Sequence, residues 1–414
     1  TRGLDAAVPL DDYLTTAGPA TPADRRRFTA ALAAFLDRLH TAGIAHPDLH
    51  PGNILVRPAA GRPTFYLIDV HDVGVAGPLS PRARRANLAL LNRWFQIRSS
   101  RADRLRFWRG YGGVDDDTPK WIEAETARAS IGLWASRNER CVRDNRSFWT
   151  VRGRGVAGYA VRELSPQAAA AFVSDPDEPF TRPGVKILKA SRTSTVCELT
   201  VPTPAGPKAM VYKRFNATSR WDGFTNLVRQ SPALRSWTTG HTFLDRGLPT
   251  PQPWLVLHRV RLGLPVEGYL LCEKVADAEP LNVAAAAADD GTRRRLIEVL
   301  ARWLRAMHDR GLAHRDLKAA NILVGPTGVA FIDLVGVRPR RAVSFARRVR
   351  DLTRLNASFV NAPRLTGDDR KRFLETYLQT GLRMAPDWAA WWSAIAERTR
   401  AKVEKNARRN RPLA

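Results

Sequence analysis

The feature that most constrains the fold of this chain is an internal repeat. Residues 36–56 read LDRLHTAGIAHPDLHPGNILV and residues 304–324 read LRAMHDRGLAHRDLKAANILV, so that matched residues keep one constant offset. Each copy then enters a short apolar run that ends in an aspartate, Asp69 in FYLIDV and Asp333 in VAFIDL. Self-similarity of this kind indicates that one structural unit occurs twice, so the two copies are expected to fold alike.

An amphipathic helix is predicted before each repeated loop. Apolar residues recur there at helical spacing, and each stripe is followed by a glycine, Gly43 or Gly311, which favours a helix C-terminus. The stripes comprise Phe28, Leu32, Phe35, Leu36 and Leu39 in the first copy and Leu296, Leu300, Trp303, Leu304 and Met307 in the second. Each copy therefore predicts a helix, a polar loop, a strand pair and an aspartate.

The two copies differ in what precedes them. Before the second copy, β-branched residues predict strands over 185–190, 196–201, 208–215 and 268–273. A helix is expected to begin after Ser231, because a serine followed by proline is typical of a helix N-terminus. The second copy is thus preceded by a β-rich segment with one helix.

The first copy begins at a point that corresponds to the middle of the second. Pro9 and Leu10 match Pro280 and Leu281, so the β-rich segment has no counterpart before the first copy. Because the sequence starts at Thr1 rather than at methionine, truncation is the simplest explanation that the sequence offers.

These patterns predict an α+β chain of four segments. Residues 1–140 form a large lobe without a small lobe, 141–184 a linker with a possible hairpin about Gly153–Gly155, 185–276 an antiparallel β small lobe, and 277–414 a helical large lobe. A length of 414 residues accommodates two or three such units, each able to bury a core.

Charge and cysteine content exclude several functional classes. The chain carries 66 Lys and Arg against 40 Asp and Glu, a formal net charge of +26. The excess is mostly arginine spread along the whole chain, so we attribute it to base composition and expect no nucleic-acid partner. Three cysteines without a CxxC pair predict neither a disulfide framework nor a zinc site. No apolar run is long enough to cross a bilayer, and no basic-then-apolar signal peptide opens the sequence.

The repeated loop resembles the catalytic loop and metal-binding strand of the protein-kinase-like fold. An aspartate, an asparagine five residues later and an aspartate after a strand suit phosphoryl transfer, because the first accepts a hydroxyl proton and the others present oxygens to Mg²⁺. In the second copy the resemblance implies a base at Asp316, metal ligands at Asn321 and Asp333, and a further cation at Lys318. The corresponding residues of the first copy are Asp48, Asn53 and Asp69. The histidines His46 and His314 are expected to brace the loops rather than to transfer protons.

ATP binding is expected to involve the strands that precede the second copy. Lys213 in VYK corresponds to the strand lysine that contacts phosphates in kinases. No GxGxxG is present, so the turn KASRTSTV is expected to cover the phosphates with hydroxyl and backbone N–H groups. The residues assigned to cofactor binding, besides the lysine, are Ser191, Thr193, Ser194, Glu273 and Val275.

Several departures from regulated protein kinases narrow the resemblance. The helix after Ser231 holds no glutamate to pair with Lys213, the metal motif reads Asp-Leu-Val-Gly, and no long activation segment follows Asp333. The segments LDRGLPTPQPW, RDLTRLNASF, TGDDRKRFLETYL and SPRARRANLALLNRWF are similar to features of the lipopolysaccharide kinase (Kdo/WaaP) family. That resemblance implies a protein-kinase-like bilobal fold, preceded by an isolated kinase large lobe. It also implies ATP and Mg²⁺ as cofactors and a sugar of the lipopolysaccharide inner core as acceptor.

Two other functions remain open on the sequence. The motif HRDLKAAN favours a Ser/Thr protein kinase, which the missing activation segment disfavours, and the missing helix glutamate favours a nucleotide-binding pseudokinase scaffold. Because the first copy lacks the strands that would cover a nucleotide, one competent ATP site is expected, in the second copy.

The sequence predicts a cytoplasmic protein that acts at the inner membrane face on a lipid-linked or core sugar. Trp388, Trp391, Trp392 and Ile395 share one face of a predicted helix, and the basic residues 398–411 follow, which would suit an anionic membrane surface. The alternative is that these tryptophans pack inward, in the last helix of the large lobe.

Overall fold

The computed structural model describes residues 4–58, 63–75, 77–112, 118–216, 230–379 and 388–408. The chain divides into two compact units, Thr1–Leu133 and Trp134–Ala414, and each contains one copy of the repeat. The boundary falls close to the end of the predicted first domain.

The first unit is a helical lobe with short strands. In its described part, β1, β3 and β4 form one antiparallel sheet, and β2 pairs with β5. The elements, in chain order, are β1 (Val8–Pro9), α1 (Leu10–Thr16), α2 (Pro22–Thr41), β2 (Ile44–Ala45), β3 (Ile54–Arg57), β4 (Thr64–Leu67), β5 (Gly74–Val75), α3 (Pro81–Arg98), α4 (Arg101–Gly110) and α5 (Thr118–Asn138), whose last residues belong to the second unit.

Local sequence signals set both ends of helix α2. The Thr21 hydroxyl accepts the backbone N–H of Asp24, and the Asp24 carboxylate accepts the backbone N–H of Thr21. Pro22 is the first residue of the helix. The chain leaves the helix through Gly43, whose φ of 78° is a left-handed conformation that favours glycine. The buried apolar stripe of the helix comprises Phe28, Leu32, Ala33, Phe35 and Leu36. The predicted helix is confirmed.

The second unit combines a β-rich lobe with a helical lobe. Its described elements after α5 are β6 (Phe148–Gly153), β7 (Val156–Val161), α6 (Pro166–Ser174), α7 (Glu178–Thr181), β8 (Lys186–Ala190), β9 (Ser194–Thr203), β10 (Gly206–Phe215), α8 (Pro232–Asp245), β11 (Pro253–Arg261), β12 (Leu264–Glu273), β13 (Glu279–Pro280), α9 (Leu281–Ala287), α10 (Asp290–Asp309), β14 (Leu312–His314), β15 (Ile322–Gly325), β16 (Gly328–Phe331), β17 (Val337–Pro339), α11 (Phe345–Ala357), α12 (Gly367–Gln379) and α13 (Trp388–Ala407).

The small lobe is a seven-stranded antiparallel sheet in the order β6-β7-β11-β12-β10-β9-β8. The predicted strands and the helix after Ser231 are all present, and the Ser231 hydroxyl caps α8 by accepting the N–H of Leu234. Strand β11 was not predicted from the sequence. Its residues Leu255, Val256 and Leu257 are fully buried, so the strand forms the middle of the lobe's core.

The segment predicted as a linker, 141–184, belongs to the small lobe. Its hairpin about Gly153–Gly155 is confirmed by the pairing of β6 with β7, and β7 in turn pairs with β11. Gly158 allows this second pairing, because a Cβ there would lie 1.8 Å from the Val256 carbonyl oxygen. The linker interpretation was wrong for the hairpin, because its strand partner lies about a hundred residues away along the chain and leaves no local signal.

The large lobe of the second unit repeats the architecture of the first unit. Strands β13, β15 and β16 form a sheet that matches β1, β3 and β4, and β14 pairs with β17 as β2 does with β5. Gly311, with a φ of 77°, ends α10 as Gly43 ends α2. The described strands of the two units thus pair in the same order, as the internal repeat predicts.

The last helix, α13, turns its tryptophans toward the large-lobe core. Trp391 is 4% exposed, and Trp388, Trp392 and Ile395 are partly buried against the same core. Of the two sequence interpretations, inward packing is therefore confirmed for these residues. In the described part of the chain, no helix is both long enough and apolar enough to cross a membrane.

Candidate active site

A cavity of about 1060 Å³ lies between the two lobes of the second unit. A concave, partly polar site of this size is typical of small-molecule binding. Its walls come from strands β8 to β12, from α8 and from the repeated loop. Six of the residues predicted from the sequence line it: Lys213, Glu273, Val275, Lys318, Asn321 and Asp333.

His314 braces the loop that carries Asp316. Its Nδ1 accepts the Asp316 backbone N–H at 3.2 Å, so the proton lies on Nε2, which is 3.5 Å from the Ile332 carbonyl oxygen. The ring is fully buried, and burial lowers its pKa, which keeps it neutral. The expected bracing role of this histidine is confirmed.

Asn321 fixes the position of Asp316 mainly through the Asp316 backbone, and the Asp316 carboxylate oxygens stay accessible. The Asn321 amide nitrogen donates to the Asp316 carbonyl at 2.9 Å and to Oδ2 at 3.3 Å, and Lys318 Nζ lies 3.9 Å from the same Oδ2. The Asp316 side chain is 59% exposed. A positioned, accessible carboxylate of this kind can accept the proton of an incoming hydroxyl.

Asp333 lies at the end of β16 in a left-handed backbone conformation, with a φ of 55°. Its Oδ1 is 3.1 Å from Lys213 Nζ, which reaches across from β10. Burial acts to raise the pKa of Asp333, but the charge and hydrogen bond of Lys213 outweigh it and the pKa is lowered. The carboxylate therefore stays ionised, as a metal ligand must.

The oxygens at this site fit a hard divalent cation. Because the Asn321 amide nitrogen is turned toward Asp316, its Oδ1 is the free end, and no donor within the described residues reaches it. Asn321 Oδ1 and the Asp333 carboxylate would hold Mg²⁺, which prefers a few protein oxygens and completes its shell with water and phosphate. When bound, the ion would neutralise phosphate charge. The described residues contain no cluster of three or more His, Cys, Asp or Glu side chains suited to a metal.

Helix α8 contributes no carboxylate to the described cavity wall, because its acidic residue, Asp245, is the last residue of the helix. Ser236 and Gly240 are the helix residues that line the cavity. Gly240 packs against Pro253 so closely that a Cβ would lie 2.5 Å from the proline Cγ. In the described part of the second unit, the ion-pair partner of Lys213 is therefore Asp333, which sequence reasoning did not foresee. The acidic residue Asp222 lies outside the described residues.

The predicted phosphate-covering turn connects β8 to β9. The Ser191 N–H donates to the Ser194 carbonyl at 2.9 Å, and the Ser194 N–H donates to the Ser191 hydroxyl at 3.2 Å. These groups are thus satisfied within the turn, and neither they nor Thr193 lie in the cavity wall. Lys189, which lies in β8 and opens the segment KASRTSTV, does line the cavity and helps to lower the pKa of Asp333. Its position in a chain poor in lysine was the available signal.

Glu273 and Val275 lie where β12 runs into the segment between the lobes. The Glu273 side chain pairs with Lys208 at 2.5 Å, and its backbone N–H donates to the Gln252 carbonyl at 2.9 Å. Val275 contributes an apolar wall to the cavity. Contact of either residue with a nucleotide stays a prediction.

The first unit reproduces the loop with different charges around it. The Asn53 amide donates to the Asp48 carbonyl at 3.0 Å, and Asp69 is left-handed with a φ of 58°. The Asp69 carboxylate, however, pairs with His71 at 2.8 Å. Within the described residues of this unit, no sheet corresponds to β8–β12.

Comparison with known proteins identifies relatives of both halves. A family model described as "Lipopolysaccharide kinase (Kdo/WaaP) family" matches residues 1–111 and 224–377, well over half of the chain. Among solved structures, the chain is similar to one described as "WaaP in complex with acyl carrier protein", at 21% sequence identity and a TM-score of 0.43. That match covers 57% of this chain and 97% of the other. No curated protein matches the chain.

Proposed function

Because the chain belongs to the lipopolysaccharide kinase (Kdo/WaaP) family, we propose that its second unit transfers the γ-phosphate of ATP to a sugar hydroxyl of the lipopolysaccharide core. Asp316 accepts the hydroxyl proton, while Asn321 and Asp333 would hold Mg²⁺, which would neutralise phosphate charge. Lys213 and Lys189 neutralise phosphate charge from the sheet side of the cavity.

The observation that carries this proposal is the convergence of Lys213 and Asp333. The lysine comes from the sheet and the aspartate from the large lobe, and their charged atoms meet at 3.1 Å in the cavity wall. Asn321 and Lys318 line the same cavity from the loop that carries Asp316. Positioning of opposite charges around a phosphate is the main contribution of a protein to phosphoryl transfer.

The path of the chain after Asp333 supports a sugar acceptor over a protein acceptor. A single turn over Leu334–Gly336 leads into β17, and α11 already begins at Phe345. This short connection leaves no long segment on which an extended peptide substrate could dock.

The proposal is tested by supplying ATP labelled at the γ-phosphate together with either lipopolysaccharide core oligosaccharide or a generic protein substrate. We expect label on the oligosaccharide and none on the protein. Asp316→Asn serves as the chemical control, since it removes the base and keeps the shape of the side chain.

Each competing function gives a different result in this assay. Label on generic proteins with none on core sugars would indicate a protein kinase. Binding of ATP without turnover on any acceptor would indicate a pseudokinase scaffold.

A further inference from the structure

A cluster of three cations lies beside Asp316, and two of them, Arg354 and Lys402, have no part in the proposed phosphate transfer. It involves Arg354 on α11, Lys402 on α13 and Lys318 on the loop. In the described part of the chain, the Arg354 and Lys402 side chains form neither an ion pair nor a hydrogen bond, and Arg354 Nη1 is buried without a partner.

Helix α11 is fastened to the loop at the level of Arg354. The Ser358 hydroxyl accepts the Ala319 N–H at 3.1 Å and donates to the Arg354 carbonyl at 3.3 Å. Because Arg354 and Ser358 are one helical turn apart, they share a face of the helix. Arg354 therefore faces the loop close to Lys318, the neighbour of Ala319.

Helix α13 brings Lys402 to the same place. The Asn356 amide on α11 donates to Thr399 Oγ1 on α13 at 3.0 Å. Lys402 follows Thr399 by three residues and so lies on the same face, one turn further along. Two helices and the loop thus each direct one cation toward the surroundings of Asp316.

Burial and mutual repulsion both disfavour the charged forms of these cations. Burial lowers the pKa of Lys402, and Arg354 and Lys318 lower it further, while Asp316 acts in the opposite direction. Burial likewise lowers the pKa of Arg354, against the influence of Asp351 and Asp316. Partly desolvated like charges repel one another, and a bound anion would relieve that repulsion.

The described loop and helix α3 of the first unit carry no Arg or Lys at the positions that match Arg354 and Lys318. In the matching segments DLTRLN and NLALLN, the position of Arg354 is taken by Leu90, and that of Lys318 by His50. Leu90 packs against the core of the first unit. At these two matched positions the cations occur in the copy whose loop lines the cavity.

We propose that Arg354 and Lys402 form an acceptor subsite that binds an anionic group, phosphate or carboxylate, on the sugar whose hydroxyl approaches Asp316. The proposal rests on the proposed function, because it concerns the acceptor of that reaction. Arg354 would grip the anion through its planar guanidinium, and Lys402 would add a point charge. Both are positioning residues that fix the acceptor without touching the transferred phosphate.

The test compares three sugars that differ in charge: glucose, glucuronic acid and glucose 6-phosphate. Binding to the full chain is followed by saturation-transfer NMR, which needs no turnover. We expect at least one anionic sugar to bind ~10-fold or more tightly than glucose, the factor that one charge-assisted hydrogen bond supplies. Which of the two binds better identifies the anion as carboxylate or phosphate.

Variants then assign the preference to the two residues. Arg354→Gln combined with Lys402→Gln should bring all three sugars to the same weak affinity, whereas Arg354→Lys should retain part of the preference. Arg372→Gln, which removes an exposed charge from α12, is the matched control and should bind as the wild type does. MgATP affinity should be unchanged in every variant, which also shows that the cavity is still folded.

Equal binding of the three sugars to the wild type would overturn the subsite, as would an undiminished preference in the double variant. Failure of the proposed function looks different. In that case the anion preference and its loss in the double variant would persist, while no core sugar would receive phosphate.

Discussion

The two repeated loops have nearly the same backbone and different surroundings. In the first unit, His46 Nδ1 accepts the Asp48 N–H at 3.1 Å and its Nε2 lies 3.1 Å from the Ile68 carbonyl, as His314 does in the second. Asp69 and Asp333 are both left-handed. Yet Asp333 meets Lys213, whereas Asp69 meets His71. The loop therefore keeps its geometry in both units, and the units differ in the charged side chains that surround it.

The two loops also differ in the buried side chain that hydrogen-bonds to the backbone of the loop histidine. The fully buried Asp351 accepts the His314 N–H at 2.7 Å and approaches His308 at 3.5 Å. Its counterpart Asn87 donates to the His46 carbonyl at 2.6 Å. A neutral amide therefore supports the first loop at a position where a carboxylate supports the second.

The largest expected effect separates the two candidate bases. Asp316→Asn should lower phosphate transfer by ~10³-fold, since it removes the proton acceptor, while leaving MgATP binding intact. Asp48→Asn should leave transfer unchanged, because within the described residues of the first unit no sheet like β8–β12 covers its loop. Steady-state kinetics of both variants measure this, and equal activity of Asp316→Asn and the wild type would contradict the assigned base.

The next effect concerns the number of MgATP molecules that each chain binds. Calorimetric titration should give one equivalent of MgATP per chain, and Asp333→Ala should weaken binding by ~10³-fold or more, because metal and phosphate contacts are lost together. Asp69→Ala should leave the titration as it is in the wild type. Two equivalents, or sensitivity to Asp69→Ala, would show that the first unit builds a working site.

The support behind the loop gives a smaller effect. Asp351→Ala should lower the free energy of unfolding by about 2–3 kcal/mol, since the buried His314 N–H loses its acceptor. Asp351→Asn, which introduces the residue that the first unit uses, should recover most of that loss. Denaturant unfolding of both variants decides the matter. If asparagine were no better than alanine, the two supports would not be interchangeable and the charge itself would be required.

The smallest effect concerns acid stability. Burial lowers the pKa of His241 to about 3, so that below pH 6.5 the unfolded state takes up a proton that the folded state excludes. Stability is therefore complete above about pH 6.5 and falls as the pH decreases, by about 2 kcal/mol at pH 5. His241→Phe should make the melting temperature less dependent on pH between pH 7.5 and 5, while buried histidines such as His258 and His314, whose pKa values are also lowered, maintain the rest of the dependence. The control His71→Phe, an exposed site in the first unit, should keep the slope of the wild type.

Local sequence patterns predicted most helices and strands of the fold. They did not predict the contacts between elements that are distant in sequence. The repeat, the helices before each loop and four of the strands follow from periodicity and from residues such as Ser231 and Gly311, whose signals are local. The membership of β6 and β7 in the sheet depends on pairing with distant β11, and that information is absent from any short window. The same is true of the contact between Lys213 and Asp333.

The site residues show the same division. Asp333, Asn321 and Lys213 were predicted, and the structure brings them to one cavity. Lys189 was missed although lysine is scarce in this chain, and Arg354 and Lys402 were missed because an isolated cation in so basic a sequence carries no local signal. Their roles become visible only when helices and strands that are far apart in sequence are brought together.

The contact of Gly240 with Pro253 bears on how such an enzyme is controlled and inhibited. Many protein kinases are switched by moving the helix that carries the glutamate partner of the strand lysine. Here the equivalent helix has no glutamate in its described residues and presses directly on the neighbouring strand, so that outward movement would break no catalytic ion pair. We therefore expect the rate of phosphate transfer to depend on the amounts of enzyme and acceptor rather than on movement of this helix. We also expect inhibitors that bind the displaced-helix form of protein kinases not to bind here.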